Sequence, residues 1–88
     1  MLVLVGTNIS LRIDAPRVPG ATYTAGGCSV EVYTGQYTTT PYFELELQSP
    51  APTLAVGQTL EFVTTYSLFH RTGATTDAEA QKVLSWQY

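Results

Sequence analysis

Two glutamates in the segment PYFELELQSP, residues 41–50, are the side chains of this sequence best spaced for chemistry. Glu44 and Glu46 alternate with apolar residues, so on a β-strand both carboxylates would lie on one face, about 6.5–7 Å apart at Cα. Carboxylates this close disfavour each other's ionisation, and in a site shielded from water one can stay protonated while the other is charged. Acid–base chemistry at the anomeric centre of a sugar requires that division of roles.

The surrounding sequence supplies groups that suit a sugar. Glu31, on the preceding predicted strand, offers a third carboxylate. Aromatic planes and an amide are also near, from Tyr33, Tyr37, Tyr42 and Gln48. Alternating glutamates are nevertheless more common on the solvated face of an ordinary strand. The residues alone therefore leave open whether the chain is an enzyme.

The other candidates are single residues. His70 stands beside Arg71 at a predicted strand end and is a candidate ligand-binding residue, although a lone histidine there is more often a surface residue. Cys28 follows a glycine and has no neighbouring base, which predicts a small buried apolar group. One histidine and one cysteine are too few for a structural zinc site. With no phosphate-binding loop or nucleophile motif either, we expect neither a metal nor a cofactor.

Composition limits the classes of partner. A chain of 88 residues, 44% of them hydrophobic, predicts one small domain over residues 1–88 with a marginal core. Four basic residues against seven acidic ones would not neutralise phosphates, so we expect no nucleic acid partner. The opening MLVLVGTNIS is too short for a membrane span and lacks the basic start of a signal peptide. A single cysteine favours a reducing compartment, and we predict the cytoplasm.

Abundant Thr, Tyr and Val, interrupted by Gly and Pro, predict an antiparallel β domain. The predicted strands are residues 2–5, 9–14, 28–34, 42–48 and 59–69, with turns at Gly26–Gly27 and at 55–58. In the second strand Ile9, Leu11 and Ile13 alternate with polar residues, so we expect its polar side to face water.

The C-terminal segment, residues 76–88, changes to helical spacing. Thr76 followed three residues later by Glu79 matches a capping box. We predict a helix over residues 77–87 that docks on the sheet through Val83, Leu84 and Trp86.

These elements predict a mainly-β fold: a small antiparallel sheet, half-sandwich or barrel of about five strands with a short C-terminal helix. So few strands leave an open edge, which invites pairing with a second copy. We therefore predict a homodimer.

Three stretches carry a resemblance to a known family: YTAGGCSVEVYT (residues 23–34), YFELELQSP (42–50) and TLAVGQ (53–58). Over residues 20–70 the chain resembles the last part of the galactose-mutarotase-like β-supersandwich proteins, in particular the bacterial family DUF4380. There a Y..GG.SVEV.T strand precedes an LELE..GP strand, an L.PGE turn and a long final strand. Val56 and Gln58 replace the Pro and Glu of that turn. Members of the family are much longer than this chain.

The resemblance implies a role for one glutamate. In aldose 1-epimerases an LETQ strand carries the catalytic base, and Leu45–Gln48 takes that place here, so the resemblance implies Glu46 as base. The mutarotase histidines would lie in parts of the fold that this chain lacks, so the role of acid is not transferred to His70. The resemblance therefore does not carry ordinary mutarotation over to this chain.

Together, the residues and the resemblance predict a carbohydrate-interacting β domain. If it is catalytic, Glu46 would be base or nucleophile and Glu44 or Glu31 the acid, in glycoside hydrolysis or epimerisation. The ligand-binding residues would be Tyr33, Tyr42, Gln48 and His70. The alternative is a non-catalytic structural piece that folds by self-association.

Overall fold

The computed structural model of the chain describes residues 1–36 and 39–88, so the predicted contribution of Tyr37 lies outside the described residues. Its elements are β1 (Leu2–Val5), β2 (Ile9–Asp14), β3 (Val30–Gly35), β4 (Tyr42–Leu47), β5 (Thr65–His70) and α1 (Thr76–Ser85). The strands form an antiparallel three-stranded sheet, β1-β2-β5, and an antiparallel pair, β3-β4. The predicted mainly-β class with a short C-terminal helix is confirmed, and the described strands close no barrel.

The chain divides into two compact units. Residues 1–14 and 64–88 contain β1, β2, β5 and α1, and we call them the sheet–helix unit. Residues 15–63 contain the β3–β4 hairpin, and we call them the hairpin unit. Among the residues that the structure describes, no helix is long and apolar enough to cross a bilayer.

The central strand of the sheet–helix unit, β2, buries its polar side chains. Ser10 is fully buried and Arg12 is 6% exposed. Helix α1 packs on β1 and β2, and its Glu79 accepts a hydrogen bond from the Ser10 hydroxyl at 3.0 Å. The expectation that this side of β2 faces water is therefore wrong, because the helix covers it. On the opposite face Ile13 is buried, but Ile9 is 52% exposed.

Strand β5 is shorter than the predicted strand 59–69. It begins at Thr65, the residue paired with Asp14 at the end of β2. Pro16 follows soon after Asp14 and has no N–H to continue a ladder. Residues 59–64 have no regular structure, because a strand needs a partner as well as a favourable side-chain pattern.

Helix α1 begins one residue earlier than predicted. Thr75 is the N-cap, and its hydroxyl accepts the Ala78 N–H at 3.1 Å. The predicted capping box from Thr76 is therefore wrong. Docking through Val83 is confirmed, since this side chain is fully buried, whereas Leu84 is 42% exposed and does not share that burial.

The end of the helix is fixed by a cation from the sheet. Arg12 Nη1 donates to the carbonyls of Val83 (3.1 Å) and Trp86 (2.8 Å) at the C-terminal end of the helix, where the Val83 carbonyl also accepts the Trp86 N–H at 3.3 Å. The Trp86 ring then meets Phe69 of β5 edge-on at 5.2 Å and Tyr88 at 4.7 Å between ring centres. The predicted contact of Trp86 with the sheet is thus present.

The hairpin unit pairs β3 with β4 along their full length. Ahead of β3, Gly26 and Gly27 have φ of 59° and 82°, which only glycine adopts at little cost, and they form the predicted turn between Ala25 and Cys28. The segment before this turn is anchored by Tyr23, which is 4% exposed and accepts the Val18 N–H at 2.9 Å.

Candidate functional site

The ladder between β3 and β4 brings most of the predicted site residues onto one face of the hairpin. Glu31 pairs with Glu46, Tyr33 with Glu44, and Gly35 with Tyr42. Directly opposed residues of an antiparallel pair share a face. Gln48 follows β4 on the same alternation, and its N–H donates to Ser29 O at 2.9 Å. We call this surface the polar face of the hairpin: Glu31, Tyr33, Tyr42, Glu44, Glu46 and Gln48.

Two tyrosines form an aromatic pair on the polar face. The ring centres of Tyr33 and Tyr42 are 6.3 Å apart, with 46° between the planes. Tyr33 is 51% exposed and Tyr42 46% exposed, so each has ring surface available to a ligand. The Tyr42 ring lies across Gly35, where an added Cβ would overlap the ring. Gly35 is therefore required for the position of Tyr42.

One carboxylate of this face is held by a neighbouring amide. Gln48 Nε2 donates to Glu31 Oε2 at 2.7 Å. Like charges that face each other across a ladder are destabilising, and Glu31 faces Glu46. The Gln48 amide partly offsets that repulsion and orients Glu31, while Glu44 and Glu46 are exposed. The arrangement offers acceptors in contact with water, without the shielding that a divided acid–base pair needs.

A shallow pocket adjoins the polar face at the far end of the hairpin. Its volume is about 250 Å³, and it is lined by Thr34, Gly35, Gln36, Pro41, Tyr42 and Phe43. Tyr42 thus lines the pocket and also belongs to the polar face that carries the glutamates.

Two predicted candidates lie elsewhere. His70 ends β5 in the sheet–helix unit, where it faces Ile9 across the ladder and borders an apolar pocket of about 220 Å³ with Leu68 and Phe69. Cys28 is exposed and free in the turn before β3. The expectation that Cys28 is a buried apolar group is therefore wrong, because the glycine turn points it outward.

Glu79 is an acidic residue whose pKa is strongly shifted, and the sequence predicted it only as part of a helix cap. Glu79 accepts from Lys82 Nζ (2.9 Å), from the N–H groups of Thr72 (3.1 Å) and Gly73 (2.7 Å), and from Ser10. Burial alone would raise the pKa of Glu79, but these donors outweigh it and lower the pKa from 4.5 to about 2. Every donor is accounted for within the fold, so Glu79 has a structural role.

A second network, partly exposed to solvent, surrounds Asp14. Arg12 Nε donates to Asp14 Oδ2 at 2.7 Å, and the Tyr88 hydroxyl donates to the same oxygen at 2.9 Å. Burial raises the pKa of Asp14, but the bonds from Arg12 and Tyr88 outweigh it and lower the pKa. No local pattern could have indicated this cluster, because Arg12 and Tyr88 are brought together only by the fold.

Within residues 1–36 and 39–88, no group of three or more His, Cys, Asp or Glu side chains is arranged to hold a metal ion. Comparison of the chain with family models, with curated proteins and with solved structures gave no match.

Proposed function

We propose that the polar face of the hairpin binds carbohydrate. The observation that carries the proposal is the half-exposed pair Tyr33–Tyr42 on the same face as three carboxylates and an amide. Aromatic rings pack against the apolar C–H face of a pyranose, and carboxylates accept short, strong hydrogen bonds from hydroxyl groups. The motif resemblance to the mutarotase-like supersandwich supports the same ligand class. That family assignment is also a proposal and rests on the motifs alone.

The open geometry favours binding over turnover. Glu44 and Glu46 are exposed, and catalysis by a carboxylate pair works best where water is excluded. A single hexose has about twelve non-hydrogen atoms, and at about 0.3 kcal/mol per atom its Kd would be in the millimolar range. We therefore propose weak recognition of a sugar, in which Glu46 is an acceptor for ring hydroxyls.

The binding proposal is tested by nuclear magnetic resonance titration of the protein with common hexoses. We expect chemical-shift changes confined to β3 and β4. Tyr33→Ala should weaken binding between about twofold and tenfold, as expected for loss of one aromatic contact. Val32→Ala is the control, because Val32 is 56% exposed on the opposite face of the same hairpin and does not line the adjoining pocket. No shift with any hexose, or equal losses in the two variants, would refute the proposal.

The catalytic form of the proposal has its own test. Hydrolysis of an aryl glycoside and mutarotation of a hexose would be followed for the wild type, Glu46→Gln and Glu61→Gln. Glu61 is an exposed glutamate outside the hairpin strands and serves as the control. If Glu46 acts as base or nucleophile, only the first substitution abolishes turnover. Activity unchanged by Glu46→Gln would remove the enzymatic form and leave binding intact.

A second candidate function is a structural piece that folds by self-association as a homodimer. It is favoured by apolar side chains that stay exposed in both units, among them Val32 (56%) and Leu68 (72%). Self-association without any sugar response would favour this candidate. The cytoplasmic location is likewise a proposal, based on the single cysteine.

A further inference from the structure

We propose that β5 is an interface at which two copies of this chain pair edge to edge, antiparallel about a two-fold axis. Strand β5 is one of the two outer strands of the sheet in the sheet–helix unit and pairs with β2 on one side. The product would be one sheet of six strands in which both outer β5 strands become central. The inference is independent of sugar binding, because it concerns the other unit.

The backbone of β5 has hydrogen-bonding groups that point away from β2. Arg71 N–H donates to Asn8 O at 2.9 Å, which sets the phase of the ladder. Hydrogen-bonded pairs alternate in an antiparallel ladder, so Ser67 exchanges its bonds with β2, whereas Tyr66 and Leu68 direct theirs outward. In the described part of the chain, no backbone hydrogen bond outside the β2 ladder involves Tyr66 or Leu68.

Nothing in the sequence of β5 protects this edge. Natural edge strands carry Lys, Pro or a bulge that discourages pairing. The strand reads TYSLFH, and its register with β2 runs without a bulge from Thr65 to His70. On its apolar face Tyr66 is 66% exposed and Leu68 72% exposed.

The charge distribution favours a second copy as the occupant. The sheet–helix unit has three basic and three acidic side chains, so its net charge is zero; they are Arg12, Arg71, Lys82, Asp14, Asp77 and Glu79. The hairpin unit has one basic and four acidic side chains, which account for the chain's net charge of −3. Two copies that meet at β5 therefore pair through units that carry no net charge, so no net electrostatic repulsion between the paired units opposes association.

One pairing register uses all of the outward backbone N–H and C=O groups of Tyr66 and Leu68. Directly opposed residues share a face of the sheet, and the two-fold axis keeps each residue on the same face in both copies. The axis must therefore pass beside a residue that faces the same residue of the second copy. With Ser67 at the axis, Tyr66 faces Leu68 of the second copy, and the outward groups of both form four hydrogen bonds. The register centred on Leu68 would instead need the His70 carbonyl to accept a second hydrogen bond, in addition to the one from Lys82 Nζ at 3.1 Å. The Ser67-centred register is therefore the one we propose.

The size of the contact predicts a weak dimer. Tyr88, which is 73% exposed, lies beside the axis on the helix side through its 3.1 Å contact with the Ser67 hydroxyl. With Tyr66 and Leu68 it offers on the order of 400 Å² per copy, at the low end of specific interfaces. We expect dissociation in the micromolar to high-micromolar range.

Sedimentation equilibrium from about 5 to 500 µM tests the interface, a range chosen for the weak dimer expected from its area. The wild type should pass from monomer to dimer. Leu68→Lys should weaken association about tenfold or more, because an edge lysine opposes pairing and two ammonium groups would meet near the axis. Val56→Lys adds the same charge at a fully exposed turn of the hairpin unit and should leave association unchanged. A wild type that is monomeric throughout, or a dimer that Leu68→Lys does not weaken, would overturn the proposal.

Cross-linking tests the register without relying on the lysine variant. In a Cys28→Ser background, Ser67→Cys would place two thiols on residues about 4.5 Å apart at Cα, within the range for a disulfide. We expect a covalent dimer on mild oxidation, and little from the matched Val56→Cys. Equal yields from the two variants, or none from Ser67→Cys in a protein that dimerises, would overturn the β5 interface.

Discussion

The carboxylate of Glu79 is fully buried and still charged at neutral pH, because its donors come from three directions. Ser10 reaches it from β2, Thr72 and Gly73 from the loop before the helix, and Lys82 from the next helical turn. Removing one partner of such a network leaves the others buried and unpaired, which is more costly than losing a surface ion pair. Glu79 therefore ties β2, the β5–α1 loop and α1 together.

This network predicts an acid-sensitive fold. The pKa of Glu79 is about 2 in the folded chain and near its ordinary value of 4.5 when unfolded. The stabilisation is therefore complete above about pH 4.5 and is lost as the pH falls towards 2. We expect the urea midpoint of the wild type to fall over this interval, and that of Glu79→Gln to be lower at pH 7 and to fall less steeply. Glu61→Gln, at an exposed site, should behave as the wild type; parallel pH profiles for wild type and Glu79→Gln would contradict this.

At the scale of the element, two adjacent threonines at the start of α1 have different roles. Thr75 provides the cap, since its hydroxyl accepts the Ala78 N–H, and Thr76 is the first helical residue. We expect Thr75→Ala to lower the free energy of unfolding by about 1 kcal/mol and Thr76→Ala to change it by less than about 0.5 kcal/mol. Chemical denaturation of the two variants measures the difference. A larger loss of unfolding free energy for Thr76→Ala than for Thr75→Ala would contradict this assignment and support a capping box that starts at Thr76.

The elements could be predicted from sequence where the pattern is local. Alternation predicted β2, β3 and β4 within two residues, and helical spacing predicted α1. The cap was misassigned because Thr75 and Thr76 are chemically equivalent, and the Glu79 that seemed to complete a box at Thr76 binds the preceding loop. The length of β5 was overestimated because its limit is set by the end of β2, which is distant in sequence.

For the candidate site, alternation predicted that Glu44 and Glu46 share a face. The pairing of Glu31 with Glu46, and of Tyr33 with Glu44, depends on the register of β3 against β4. The amide contact of Gln48 to Glu31 follows from that register as well. Whether a carboxylate is shielded depends on tertiary packing, which no short pattern contains; the buried acid of this chain is Glu79, and Glu46 is exposed.

At the scale of the whole molecule, the two units differ in charge. The sheet–helix unit is neutral, and the hairpin unit carries the entire net charge of −3. The proposed sugar-binding face and the proposed β5 interface therefore lie in units of different electrostatic character. Added salt should screen the acidic hairpins and change sugar binding little, since a neutral hexose has no charge to screen.

The buried polar side of β2 has a consequence for the tolerance of this protein to mutation. Ordinarily a polar strand position accepts many residues and an apolar one accepts few. Here Ser10 and Arg12 fill a dry layer beneath α1, while Ile9 is 52% exposed. In a library of single substitutions sorted for folded protein, we expect positions 10 and 12 to be depleted of nearly every replacement, whereas position 9 keeps Thr, Lys and Gln. In β2 the usual rule is thus reversed. A polar residue is tolerated in place of the apolar Ile9, whereas replacement of the polar Ser10 or Arg12 unfolds the protein.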